Sequence, residues 1–191
     1  MIERRLSKLD EIKERYIKHG VAVFVFNRDG EVLLVQENTP NPSTGKKSGD
    51  YSVLCETSEE GEDWSETVIR AFKEELGITP EESGKNLKID PNFCFLGESL
   101  FVEGVLARVV AVYWTEDKNS LLKTVGDGEI KVVGWEDVDR LNLYNLRPGV
   151  KNVLDACLNA NLLLDPHSIS KENLLSLSLD NLKLSVENLG E

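Results

Sequence analysis

The chain has 191 residues, and 22 Lys and Arg face 34 Asp and Glu, a formal charge of −12. That surplus repels nucleic-acid phosphates and anionic lipid, so neither polymeric nucleic acid nor a membrane surface is an expected partner. The length suits one globular domain with appendages, and a 40% hydrophobic share is enough for a core, which excludes wholesale disorder.

In chain order, Leu6, Leu9, Ile12 and Tyr16 recur at three- and four-residue steps among charges. This predicts an amphipathic helix over residues 1–19, closed by Gly20. Val21 to Phe26 is apolar on both faces, Asp29-Gly30 is a hairpin signal, and Glu31 to Gln36 returns as a strand. Asn38 to Asp50, with two Pro, two Gly and two Lys, is a loop by composition, and Tyr51 to Cys55 is a short strand. Asp63-Trp-Ser-Glu66 has the form of a capping box opening a helix to Leu76, which Gly77 and Pro80 end. Phe93 to Val102 and Val105 to Thr115 read as strands about a Glu103-Gly104 turn, with a further strand from Ile130 to Trp135. Pro148 opens a closing helix with Val150, Val153, Leu154, Cys157 and Leu158 on one stripe. Strands broken by a central and a terminal helix predict an α/β sandwich around a mixed sheet.

The main domain is expected over residues 20–163, and residues 164–191 form a C-terminal extension. There Leu175, Leu179, Leu182, Val186 and Leu189 follow a four-three spacing, while Leu175, Leu177 and Leu179 also alternate as in a strand; the favoured expectation is a short helix docked on its own domain or on a second subunit in a homodimer. Cys55, Cys94 and Cys157 lack CxxC spacing and read as reduced thiols. No apolar run approaches the roughly 20 residues of a membrane helix, and the opening is not signal-like. A soluble, cytoplasmic protein is expected.

The chemistry concentrates between Cys55 and Ile78, where a carboxylate-rich loop feeds an acidic helix. Trp64, Val68, Phe72 and Leu76 share its apolar side, and Arg70 stands four residues before Glu74, able to orient a carboxylate. Adjacent Glu74 and Glu75 near a helix C-terminus gain nothing from the helix dipole, which favours cations there. A hard divalent cation would stabilise them, since Mg²⁺ takes one or two carboxylates and keeps water for substrate phosphates.

This stretch resembles the signature of the Nudix hydrolase family, G-x5-E-x7-R-E-U-x-E-E-x-G-U. Glu62, Arg70, Phe72, Glu74, Glu75, Gly77 and Ile78 fall on its positions, and Glu59 and Gly61 fit the preceding run. Two positions depart: Glu56 stands for the opening glycine and Ala71 for the glutamate after the arginine. The resemblance implies a Nudix-type α/β/α sandwich and an Mg²⁺- or Mn²⁺-dependent hydrolase of a small, pyrophosphate-containing nucleoside diphosphate derivative. It implies Glu74 and Glu75 as metal ligands, with Glu56 supplying the carboxylate that Ala71 lacks. Glu75, Arg70, Glu56 and Glu129 become the catalytic candidates, Glu62 and Glu59 their supporting partners, and Lys46 and Lys47 the phosphate-binding candidates. Tyr51, Trp114 and Tyr144 are aromatic candidates for base stacking, or else core. Ala71 keeps an alternative open: a degenerate domain that binds a nucleotide or nucleotide sugar as a regulatory or interaction module without cleaving it.

Overall fold

The computed structural model describes residues 18–78, 94–102, 104–114, 117–122 and 126–159. The expected helix over residues 1–17 and the extension over 164–191 lie outside them. Lys18 and His19, assigned from the sequence to that helix, instead begin strand β1 (Lys18–Phe26). They pair with Val105 and Leu106. Gly20 is therefore not a helix terminator: it lies inside a strand, where a Cβ would stand 2.5 Å from the Glu56 carbonyl oxygen.

The other elements are β2 (Val32–Glu37), β3 (Tyr51–Ser52), β4 (Leu54–Thr57), α1 (Trp64–Leu76), β5 (Cys94–Val102), β6 (Val105–Tyr113), the short α2 (Lys118–Leu121), β7 (Ile130–Glu136) and α3 (Pro148–Asn159). The single strand expected from Tyr51 to Cys55 is two. The first pairs with β2, and the second leaves it to pair with β1 and continues to Thr57. Glu56 thereby becomes a strand residue in register with Val21.

Among the described residues, seven strands form one mixed sheet, β3-β2-β1-β6-β5, with β4 also on β1 and β7 also on β2. β1 runs parallel to β6 and antiparallel to β2 and β4. Its uninterrupted apolar run follows from burial on both faces, as in parallel strands generally. Val21, Val23 and Val25 face a core completed by Val68, Phe72 and Leu76 of α1. Ala22, Phe24 and Phe26 face a second core completed by Val150, Val153 and Leu154 of α3. Fully burying side chains of this size contributes roughly 1.5–3 kcal/mol each, which fixes both helices to the sheet. The result is an α/β/α sandwich. Among the described residues, no helix is long and apolar enough to cross a membrane.

Candidate active site

The position of α1 is set by its caps. Asp63 accepts hydrogen bonds from the Ser65 and Glu66 amides at 2.7 and 3.0 Å, and Glu66 returns one from the Asp63 amide. At the other end Gly77 adopts φ 68°, and its amide donates to Lys73 and Phe72 carbonyls. Between the caps, Thr67, Ala71 and Glu75 lie on the buried side at four-residue steps. Arg70 and Glu74 stand on the flank.

Arg70 gathers the acidic loop. Its Nε and Nη2 donate to the two Glu62 carboxylate oxygens, both at 2.9 Å, a bidentate pair. Nη2 also donates to the Thr57 carbonyl at 2.6 Å, and Nη1 stands 3.2 Å from Glu56 and 3.3 Å from Glu74. Hydrogen bonding to Arg70, reinforced by Thr67 and the Glu59 amide, holds the Glu62 carboxyl down at about 2. Glu56 responds in the opposite sense, because burial raises its carboxyl more than the Thr57 amide and Arg70 lower it.

Beside this cluster opens a cavity of about 80 Å³, lined by Lys46, Glu56, Glu75, Phe101, Glu129 and Arg147 among others. Glu75 is 7% exposed, and its Oε2 is buried without a hydrogen-bond partner. Burial, then the charges of Glu37 and Glu56, push its carboxyl well above the usual range. The far wall is a chain of charges. Arg147 Nη1 donates to Glu37 Oε1 at 3.0 Å and Nη2 to the Thr44 carbonyl at 3.0 Å, while its guanidinium lies 4.8 Å over the Phe101 ring. Lys46 Nζ forms an ion pair with Glu37 Oε2 at 3.1 Å and donates to Glu129 Oε2 at 2.7 Å. Burial pulls the Lys46 ammonium down, but its pairs with Glu129 and Glu37 more than offset that and raise it.

Of the residues singled out from the sequence, Glu56, Glu75, Glu129 and Lys46 meet at this cavity. Arg70 and Glu62 support it through Glu56 and Thr57. Glu74 turns toward Arg70 with its side chain 44% exposed. Lys47 is exposed and outside the lining, and Glu59 contributes its amide to Glu62 rather than its carboxylate. Ala71 is fully buried. Trp114 is core, and the Tyr51 and Tyr144 rings pack against each other in a tilted arrangement, centroids 4.9 Å apart, with the Tyr144 hydroxyl donating to Glu136. Sequence reasoning missed Glu37 and Arg147. Their signals were a charged residue closing an apolar strand and an arginine just before a helix-opening proline.

A mixed sheet between two helical layers, with a carboxylate-lined cavity at the end of one helix, defines an α/β/α sandwich with an acidic pocket. Residues 17–157 match the NUDIX domain family model, and the chain belongs to that family. Its fold is shared with a MutT protein from Methanosarcina mazei at 20% identity and a TM-score of 0.53, covering 78% of this chain and 97% of that one. The ORF135 protein of E. coli aligns at 18% identity and a TM-score of 0.52, over 78% and 94% of the two chains. The NUDIX domain of Shewanella oneidensis NrtR, solved with ADP ribose, aligns at 14% identity and a TM-score of 0.51, over 72% and 83%. No curated protein matches the chain.

Proposed function

We propose that this protein is a divalent-metal-dependent hydrolase of a small molecule joined through a nucleoside diphosphate. The observation that carries the reading is Glu75, a buried carboxylate with an unpartnered oxygen, set among other carboxylates at an open cavity. Among the described residues, the ion pairs of this cluster join five carboxylates, Glu37, Glu56, Glu62, Glu74 and Glu129, to three cations, Lys46, Arg70 and Arg147. A charge imbalance of that sign in a poorly hydrated place favours a cation.

The donor set fits a hard ion. Among the described residues no three His, Cys, Asp or Glu stand grouped as a finished cation site. Mg²⁺, however, asks only one or two carboxylates of the protein and completes its shell with water and substrate oxygens. Glu75 and Glu56 would hold Mg²⁺ or Mn²⁺, with Glu74 within reach once it leaves Arg70. The chemistry such an ion supplies is neutralisation of phosphoryl oxygens and a lowered pKa for water. The chain's own residues do the rest. Arg70 keeps Glu56 and Thr57 in place, Lys46 receives a phosphoryl oxygen, and Glu129 at the rim accepts a proton. The NrtR domain solved with ADP ribose makes that compound a sensible first substrate, alongside nucleotide sugars.

A second reading has its own support. Ala71 places a buried methyl where the family signature has a carboxylate, and Glu74 is tied to Arg70. Both features suit a module that binds a nucleotide without cleaving it. One screen separates the two: hydrolysis of nucleoside triphosphates, dinucleoside polyphosphates, nucleotide sugars and ADP-ribose with Mg²⁺ or Mn²⁺. Turnover that chelator and Glu75→Gln abolish supports the hydrolase. Saturable binding without product supports the module, and neither outcome rejects both.

A further inference from the structure

Lys46 stands between two carboxylates that are held very differently. Glu37 is 2% exposed and also bound by Arg147, so turning it away would leave an uncompensated charge in the interior. Glu129 has a side chain 55% exposed, and it can rotate into water with little desolvation change. Its backbone is nevertheless fixed. The Asn38 amide donates to the Glu129 carbonyl at 2.8 Å, the Asn38 side chain to Gly128 at 3.1 Å, and the Glu129 amide to Asp127 Oδ1 at 2.8 Å. Only the side chain is at liberty to leave, and its carboxylate lies on the ammonium inside the cavity, where an entering anion must compete for the same donors.

We propose that Glu129 is a displaceable stand-in for substrate: it occupies Lys46 until a diphosphate takes its place, and so sets the affinity of the cavity for phosphoryl oxygens. The inference rests on the reading of this cavity as a diphosphate site. When the diphosphate binds, Lys46 keeps Glu37 and exchanges Glu129 for a phosphoryl oxygen. The freed carboxylate is then left at the rim beside the reacting group.

The test is a double-mutant cycle read by calorimetric binding of imidodiphosphate in the presence of magnesium, with no turnover needed. Glu129→Gln tightens binding by about threefold to fivefold, the scale of an ion pair with one exposed partner. Lys46→Gln weakens it by about tenfold or more, as expected for a charge-assisted contact. In the Lys46→Gln background, Glu129→Gln changes nothing, whereas in Lys46→Arg, which keeps the cation should Lys46→Gln fail to fold, the tightening persists. Equal tightening with and without Lys46 would reduce Glu129 to a diffuse repulsive charge and overturn the exchange; so would no tightening at all. If the hydrolysis screen fails while this cycle holds, catalysis is lost and the exchange stands. If neither wild type nor Glu129→Gln binds imidodiphosphate, both readings fall.

Discussion

At the scale of single residues, the decisive fact is that function and stability pull Glu75 in opposite directions. Its folded-state carboxyl is raised by burial and by Glu37 and Glu56. The stability it contributes is therefore present below the ordinary glutamate range and lost as pH rises through the raised value. Near neutral pH, Glu75→Gln should stabilise the metal-free protein by about 1–2 kcal/mol, or roughly 3–6 °C in Tm. The same change should cut metal affinity by at least the ~10–100-fold that supporting residues cost in metal sites. Thermal scans with and without magnesium check both; a variant with lower Tm and intact metal binding would refute the assignment. Cys55 is the contrasting case. Burial pushes its thiol up to about 12, with only a lesser opposing pull from Arg147, even though the residue is partly exposed where it lines the cavity. Iodoacetamide at mildly alkaline pH should alkylate it at least ~100-fold more slowly in the native protein than in urea, because only the thiolate reacts. Peptide mass mapping of Cys55 reads the rate, and comparable rates in the two states would contradict the burial. Arg70 and Glu75 were legible as candidates because fixed helical spacing relates them to their neighbours, whereas Glu56, on strand β4, stood out only as a departure from the signature. Glu37 and Arg147 each carried a local signal, but their meeting was hidden because it spans 110 residues. No local period encodes that encounter.

At the scale of elements, α1 was legible end to end, since its signals are local: a capping box at Asp63, an apolar stripe, and a glycine just past Leu76. The start of β1 was not. The helical spacing of apolar residues runs to Tyr16 and predicts a helix as far as His19, but tertiary pairing with β6 claims Lys18 and His19 for the sheet. The break at Val53 was hidden for a similar reason, because which neighbour a strand joins is a property of the sheet and not of its own residues. Glu62 ties α1 to the loop before it through Arg70, Thr67 and the Glu59 amide. With its folded carboxyl at about 2, against an ordinary 4.5, it contributes stability that is fully present above the ordinary value and lost as pH falls toward the folded one. Glu62→Gln should accordingly be less stable than wild type at neutral pH, and the gap should close as the solution is acidified through that window. Urea midpoints at a series of pH values measure it; a gap independent of pH would mean that Glu62 acts by packing and not by charge.

At the scale of the whole molecule, the site exists because parts of both helical layers reach one end of the sheet. Arg147, at the threshold of α3, reaches across to Glu37 of β2 and to Thr44 of the loop that carries Lys46. From the other layer, the end of α1 delivers Glu75 and receives the 126–129 loop. There the Asp127 amide donates to the Glu74 carbonyl at 2.7 Å, and a Cβ on Gly126 would stand 2.2 Å from that oxygen and 2.3 Å from the carbonyl oxygen of Glu75. The contact is with backbone at the end of a capped helix, so neither side can yield by turning a side chain. Gly126→Ala must therefore part the start of the loop from the helix and strain the short segment that presents Glu129, which Asn38 holds at its other end. Overpacking of this kind costs about 1–3 kcal/mol, so Tm should fall by roughly 3–10 °C with the fold kept. Turnover of whatever substrate the screen identifies should fall further, by about a hundredfold, because a shift of about 1 Å in a reacting group is enough for that loss. Folded protein with unchanged turnover would show that the rim carboxylate does no work in the reaction. The carboxylate partners of Glu75 would then have to be found among Glu37, Glu56 and Glu74 alone.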